Sequence, residues 1–235
     1  MNITSIRDTL ASLYKNKEFI KVNESVTVEI IGASFIANED SIFGMANEDY
    51  IDRELMWYRS MSRNVNDIEG IVPKIWEIVS SPEGEINSNY GYLIFNEDNY
   101  KQYDSVLNTL KKDPNSRRAI MIYTNPTMHT QFNREGMTDF VCTNTVQYVI
   151  RKNKLSAIVQ MRSNDAWAGY RNDYAWQKYV LLKLAADLDC EVGDIHWNAG
   201  SLHIYSNQFY LLDHYLKTGE HNISKKEYNN LATSV

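Results

Sequence analysis

Cysteine is scarce: the 235 residues hold two, Cys142 and Cys190. Two thiols in a chain this long make no disulfide framework, so a reducing compartment is the expectation. Proline (4) and glycine (10) are also few, which excludes a linker-rich, collagenous or disordered chain. Positive charge is not in excess: 24 Lys and Arg against 30 Asp and Glu leave a net charge of −6. That is a poor basis for general nucleic-acid binding, although one local basic pocket can still hold a small anion. No stretch approaches the roughly 18 apolar residues of a membrane span. The N-terminus has no basic segment leading into an apolar one, so the expectation is a cytoplasmic protein without a secretory leader.

Common catalytic signatures are absent too. There is no Gly-x-Gly-x-x-Gly after a strand, no Gly-x-x-x-x-Gly-Lys-Ser/Thr loop and no Gly-x-Ser-x-Gly elbow. His129, His196, His203, His214 and His221 show no metal-ligand spacing with acids or cysteines, so no metal is expected. What is present is ordinary globular chain, enough to bury about 70% of its unfolded surface. Helices are expected from Ser5, from Asn47 to about Met61, over Asn99–Lys112, over Asp173–Leu188 and over Asn207–Lys217. Strands are expected over Val26–Ile31, Arg118–Tyr123, Phe140–Arg151, Leu155–Arg162 and Ile195–Tyr205, the middle pair turning at Lys152-Asn153-Lys154. Residues 62–98 read as irregular, and an irregular stretch that long is usually functional. Strands and helices alternate without a βα rhythm and no linker intervenes. The expectation is therefore a single α+β domain over residues 1–235, a mixed sheet flanked by helices.

Several residues invite a chemical reading beside a plainer one. Cys142 is either a buried structural thiol or a nucleophile, which would need its thiolate favoured by a cation such as Arg162. Arg117 and Arg118, with Arg162 and Ser163, are either solvated surface charge or a phosphate site, since guanidinium forks match phosphate oxygens. His203 and Tyr205, two apart on a strand, share a face. They are a satisfied core pair or a grip on a sugar hydroxyl. Glu54, beside Trp57 and Tyr58, is an exposed helical acid or a proton relay with a raised pKa.

Taken together, Arg53-Glu54-Leu55-Met56-Trp57-Tyr58, Asn89-Tyr90-Gly91, Ser116-Arg117-Arg118, Cys142-Thr143-Asn144-Thr145-Val146-Gln147, Arg162-Ser163-Asn164-Asp165, Gly169-Tyr170-Arg171-Asn172-Asp173 and Gly200 to Asn207 resemble the thymidylate synthase superfamily. The pattern is nearest to its bacteriophage deoxycytidylate (dCMP) hydroxymethylase branch. It runs from about Ile30 to Lys226, and it is the order and spacing of the motifs that are specific. The resemblance implies a homodimer packed through its sheets, carrying one carbon from methylenetetrahydrofolate to C5 of a pyrimidine nucleotide. By the same resemblance, Cys142 is the nucleophile. Arg162 and Ser163 bind phosphate, joined by Arg117 and Arg118 from the partner subunit. His203 and Tyr205 hold the deoxyribose hydroxyl. Glu54 organises water and relays protons, Tyr90 lies near the C5 proton, Asn164 and Asp165 belong to the substrate-binding run, and Trp76 packs with Glu54 and Asp165 by the folate.

Asp173 stands where the dUMP-using synthases carry an asparagine. Cytosine offers an N4 amine and a bare N3; a carboxylate accepts from the first, and a protonated carboxyl can donate to the second as charge builds there. Asp173 therefore argues for cytosine, while its plainer reading is a helix cap. Thr143 and Met161 replace a histidine and a glutamine of the synthases, in keeping with the hydroxymethylase branch. Lys21-Val22-Asn23-Glu24-Ser25 holds no arginine where synthases grip phosphate, and Ala166-Trp167-Ala168 matches neither branch. The expected reaction is thiolate addition at C6, one-carbon transfer at C5 and hydration to 5-hydroxymethyl-dCMP. Its rivals are C5 methylation of dCMP or dUMP with release of dihydrofolate, hydroxymethylation of CMP, and a non-catalytic nucleotide-binding module.

Overall fold

The computed structural model describes residues 1–22 and 24–232; Asn23, in the stretch compared with the synthases' phosphate loop, lies outside them. Among the described residues, six strands, β1 (Ile20–Val22), β2 (Ser25–Ile36), β3 (Ile120–Ile122), β4 (Thr143–Arg151), β5 (Lys154–Asp165) and β6 (Glu191–Tyr205), follow the sheet order β1-β2-β6-β5-β4-β3. The helices are α1 (Ile3–Lys15), α2 (Glu48–Ser60), α3 (Lys74–Val79), α4 (Tyr90–Phe95), α5 (Gln102–Lys112), α6 (Met128–Gln131), α7 (Ala168–Asp187), α8 (Phe209–Thr218) and α9 (Lys225–Ala232). The architecture is α+β. The chain packs as two compact units, one of Met1–Ala46, Met161–Lys178 and Asp194–Val235, the other of Asn47–Gln160 and Tyr179–Gly193.

In the first unit, α1 lays Ile3, Ile6 and Leu10 against the core. Its N-cap is Asn2, whose side chain accepts from the Ser5 amide at 3.0 Å, so the helix begins earlier than Ser5. Arg7 is buried yet fully occupied: it donates to the Ile42 carbonyl at 2.6 Å and forks onto Glu39 at 3.1 and 2.7 Å. β2 does not stop at Gly32 but runs on to Ile36, because it pairs antiparallel with β6 from Thr27↔Tyr205 to Ile36↔His196. Tyr170 packs edge-on to Trp197 at 5.1 Å under this pair.

In the second unit, Asn47 caps α2 as expected, accepting from Tyr50 at 3.2 Å. β3 pairs antiparallel with β4. Lys152 and Asn153, both at positive φ, make the tight turn between β4 and β5. The stretch 62–98 is more ordered than its sequence suggests, since it carries α3 and α4. Each has six residues, too short to display a helical period, and α4 is held by packing, with Tyr90, Gly91, Leu93 and Ile94 buried. Asn89 is the fastener. Its Oδ1 accepts from Tyr92 at 2.8 Å, while its Nδ2 donates to Trp57 O at 3.1 Å and Ser62 O at 2.6 Å. At Gly91 a Cβ would lie 1.8 Å from the Tyr58 carbonyl oxygen, so only glycine lets α4 close on α2.

Candidate active site

Within the second unit, Glu54 lies on α2 with 4% of its surface exposed, so of its two readings the buried one is observed. Burial pushes its carboxyl up from 4.5 to about 7, against donation from Tyr50 and Trp76. Tyr50, one helical turn earlier, gives its hydroxyl proton to Glu54 Oε1 at 2.5 Å. The Trp76 indole donates to the Tyr50 oxygen at 2.7 Å. Burial first, then the neighbouring Glu54, pushes the Tyr50 phenol far up, so it stays a donor throughout the neutral range. Glu54 and Trp76 are thereby brought into one line through Tyr50. Sequence reasoning does not find Tyr50. Its one signal is the spacing of four from Glu54 on a helix, a spacing every helix repeats. Trp76 rests edge-on against Trp57 at 5.3 Å, and its neighbours Ile75 and Ile78 are exposed.

Tyr90 opens α4, buried, stacked on Tyr58 at 5.2 Å and edge-on to Tyr123 at 5.4 Å. Cys142 is half-buried and precedes β4 instead of standing inside a strand; its Sγ lies 3.8 Å from the Phe140 carbonyl. Its approach is clasped to that of Tyr90. The Asp139 carboxylate accepts from the amides of Asn87 and Ser88 at 2.7 and 2.8 Å and from the Ser88 hydroxyl at 2.6 Å. The Asn87 side-chain amide donates as well, to the Asp139 carbonyl at 3.0 Å. Sequence reasoning misses this clasp, because its halves lie 52 and 51 residues apart. Arg117 and Arg118 precede β3 and are exposed, their backbone pinned by Gln147, which donates to Arg117 O at 2.8 Å. Cys190 is a second half-buried thiol, its pKa raised by burial first and then by Asp189.

Within the first unit, Arg162 is exposed near the end of β5, followed by half-buried Ser163 and buried Asn164. Asn164 Nδ2 donates to Asp173 Oδ2 at 2.8 Å. Helix α7 begins at Ala168, five residues before Asp173, so the capping role falls to Asp165. Asp165 accepts from the amides of Trp167, Ala168 and Gly169 at 3.1, 2.9 and 3.3 Å. His203 and Tyr205 do share a face, with ring centroids 5.0 Å apart. The Ser201 hydroxyl donates to Glu29, which pairs across the sheet with His203, and its oxygen lies 3.1 Å from His203 Nδ1. With the Ser201 proton spent on Glu29, Nδ1–H is the donor to Ser201 and Nε2 is left as an acceptor. Burial lowers the pKa of His203, although Asp165 and Glu29 pull the other way. A neutral ring with one acceptor nitrogen beside a tyrosine hydroxyl suits a sugar hydroxyl. Among the described residues, no three His, Cys, Asp or Glu side chains are grouped to hold a metal ion, and no helix is long and apolar enough to cross a membrane.

The chain belongs to the thymidylate synthase family, whose sequence model matches residues 47–233. Within it, the chain is 56% identical to deoxycytidylate 5-hydroxymethyltransferase of Enterobacteria phage T4 over 236 residues, covering 97% of this chain and 96% of that protein. Identity to the enzyme of the same name from Enterobacteria phage T2 is 55% over 237 residues, with the same coverage of 97% and 96%. Thymidylate synthase of Francisella philomiragia is 30% identical over 164 residues, 66% of this chain and 60% of that protein. The solved structure of thermostable thymidylate synthase A from Bacillus subtilis shares the fold, with TM-score 0.72 at 21% identity over 92% of this chain and 84% of that one.

Proposed function

We propose that this chain transfers a one-carbon unit from methylenetetrahydrofolate to C5 of dCMP and hydrates it, giving 5-hydroxymethyl-dCMP. The observation that carries the reading is near-full-length identity of 56% to an enzyme of that name. Asp173 at the base-choosing position supports it.

The Cys142 thiolate adds to C6 of the pyrimidine; the electron pair of the C5–C6 bond moves toward C5, which becomes the carbon nucleophile. Sγ leaves when the C5–C6 double bond is restored. Arg162 and Ser163 hold the phosphate, and Arg117 and Arg118 reach it from the partner subunit of a homodimer. Their exposure within one subunit is what such a role needs. His203 and Tyr205 take the deoxyribose hydroxyl. Asp173 accepts from the cytosine amine, Asn164 and Asp165 complete the substrate-binding run, and Tyr90 flanks the C5 proton. Glu54, poised near neutrality, holds and moves protons through ordered water. Trp76, with exposed Ile75 and Ile78 beside it, offers the flat apolar surface that an aromatic folate ring fits, and Glu54 and Asp165 are assigned to the same cofactor. The folate supplies the carbon at the oxidation level of formaldehyde. The whole chain is proposed to act as a single catalytic domain, in the cytoplasm of the cell where it is made.

The test is mass spectrometry of the nucleotide after incubation with dCMP and methylenetetrahydrofolate, with dihydrofolate absorbance followed in parallel. The expected product is hydroxymethylated, and the absorbance stays flat. A methyl product with dihydrofolate refutes the hydration step; conversion of dUMP alone refutes the cytosine assignment; a hydroxymethyl product from CMP at equal rate refutes the deoxyribose preference. Cys142→Ala abolishes turnover and leaves nucleotide binding by calorimetry in place. Full turnover in that variant would overturn the nucleophile.

A further inference from the structure

We infer that Asn164 is the positioning residue for base choice: its amide fixes the Asp173 carboxylate so that the pair meets the nucleobase with acceptors alone. The inference rests on the cytidylate reading above and deepens it.

Three observations carry it. Asn164 is buried, with 3% of its surface exposed. Its Nδ2 is committed to Asp173 Oδ2 at 2.8 Å. Its Oδ1 is buried and receives no hydrogen bond from the protein. The carboxylate sets the amide's orientation, since the flipped amide would turn oxygen against oxygen. A buried carbonyl oxygen without a donor lowers stability, so packing alone gives no reason for an amide here. A side chain kept for Asp173 and for an incoming donor does. Gly169 packs beside the pair: a Cβ there would lie 3.3 Å from Asp165 Cβ, 3.5 Å from Asn164 Nδ2 and 3.9 Å from Asp173 Oδ2.

The chemistry of the two bases then separates. Asp173 contributes carboxylate lone pairs and Asn164 Oδ1 contributes an amide lone pair, so whatever group approaches must donate. The cytosine amine carries two N–H groups. Uracil presents O4 at the same place, which only accepts and meets lone pairs. A site built around a hydrogen bond rejects the analogue lacking it strongly, because the buried polar groups are left unpaired. The bond from Asn164 holds Asp173 Oδ2 against a rotation away from O4.

The experiment measures kcat/KM for dCMP and for dUMP on single preparations of wild type, Asn164→Ala and Asn164→Ser. A ratio taken on one preparation is independent of the folded fraction. Asn164→Ala is expected to lower the dCMP-over-dUMP ratio by roughly tenfold to a hundredfold, mainly through KM for dCMP. Asn164→Ser, which keeps a donor, recovers part of it. In an Asp173→Asn background, Asn164→Ala moves the ratio less than it does in wild type, because the carboxylate it positions is gone and only the contact of its own Oδ1 remains to be lost. Equal losses for both nucleotides, or an unmoved ratio in both variants, would overturn the inference. Wild type inert toward dCMP would instead overturn the reading on which it rests.

Discussion

Glu54 holds a carboxyl in a place that resists charge, and the fold is strained by doing so. Its folded pKa of about 7 lies above the ordinary 4.5, so the folded protein binds this proton more tightly than the unfolded chain. The associated stability is complete below pH 4.5 and is lost as pH rises through 7. Glu54→Gln, which keeps the Tyr50 bond but carries no charge, is expected to unfold like wild type below that window. Above pH 8 it should be more stable by on the order of 3 kcal/mol. Denaturant titrations across pH check this; an unchanged difference would mean that Glu54 is solvated. The same substitution should lower kcat by about 10²–10⁴-fold. Glu54 is legible in the sequence because two aromatics follow it, and aromatic neighbours announce burial. Tyr50 is not, since a helix that places four-apart residues together does so everywhere. Nor are Glu29 and Ser201, which matter only once β2 and β6 have set Glu29 opposite His203.

Elements show the same division between what a chain displays and what packing adds. Long periodic stretches are visible: α2 and its Asn47 cap, the pair β4 and β5 with its turn, and most of α7. The ends are displaced where a local hydrogen bond outranks the apolar pattern. Asp165 starts α7 at Ala168, and the partner strand draws β2 past Gly32. Cys142 falls just ahead of β4 for a related reason, because the Asp139 clasp holds the preceding residues to Asn87 and Ser88. The short α3 and α4 lie in a stretch without periodicity. The place of α4 hangs on Asn89 and on the absence of a side chain at residue 91. Gly91→Ala sets a methyl 1.8 Å from the Tyr58 carbonyl oxygen, a clash that no rotamer relieves. It is expected to cost about 3 kcal/mol or more, seen as a large fall in Tm, and to cut turnover by displacing Tyr90. Unchanged Tm would show that α2 and α4 can separate freely.

At the scale of the molecule, composition constrains little and assembly decides much. A net charge of −6 says nothing of the arginines that matter; their local grouping does. If Arg117 and Arg118 serve the partner's site, two inactive proteins can repair each other. Cys142→Ala and a double Arg117→Ala, Arg118→Ala variant, each inert alone, are mixed under conditions that exchange subunits. Half of the resulting dimers are hybrids with one intact site of two, so about a quarter of wild-type activity should return. No recovery, with hybrid dimers demonstrated by mass, would place those arginines in their own subunit's site. The motif order that betrays the family covers most of the chain, which is why identity of 56% to a phage enzyme agrees with a reading built from a handful of residues.

The line from the Trp76 indole through the Tyr50 hydroxyl to Glu54 has an optical consequence. Indole emission responds to the strength of the acceptor on its N–H. The Tyr50 oxygen is a better acceptor when its own proton is drawn toward a charged carboxylate than when Glu54 is protonated. Trp76 is thus an indicator dye wired to the proton on Glu54. Its fluorescence should titrate with a midpoint near 7, lose that midpoint in Glu54→Gln and in Tyr50→Phe, and let proton movement be watched in single turnovers without any label.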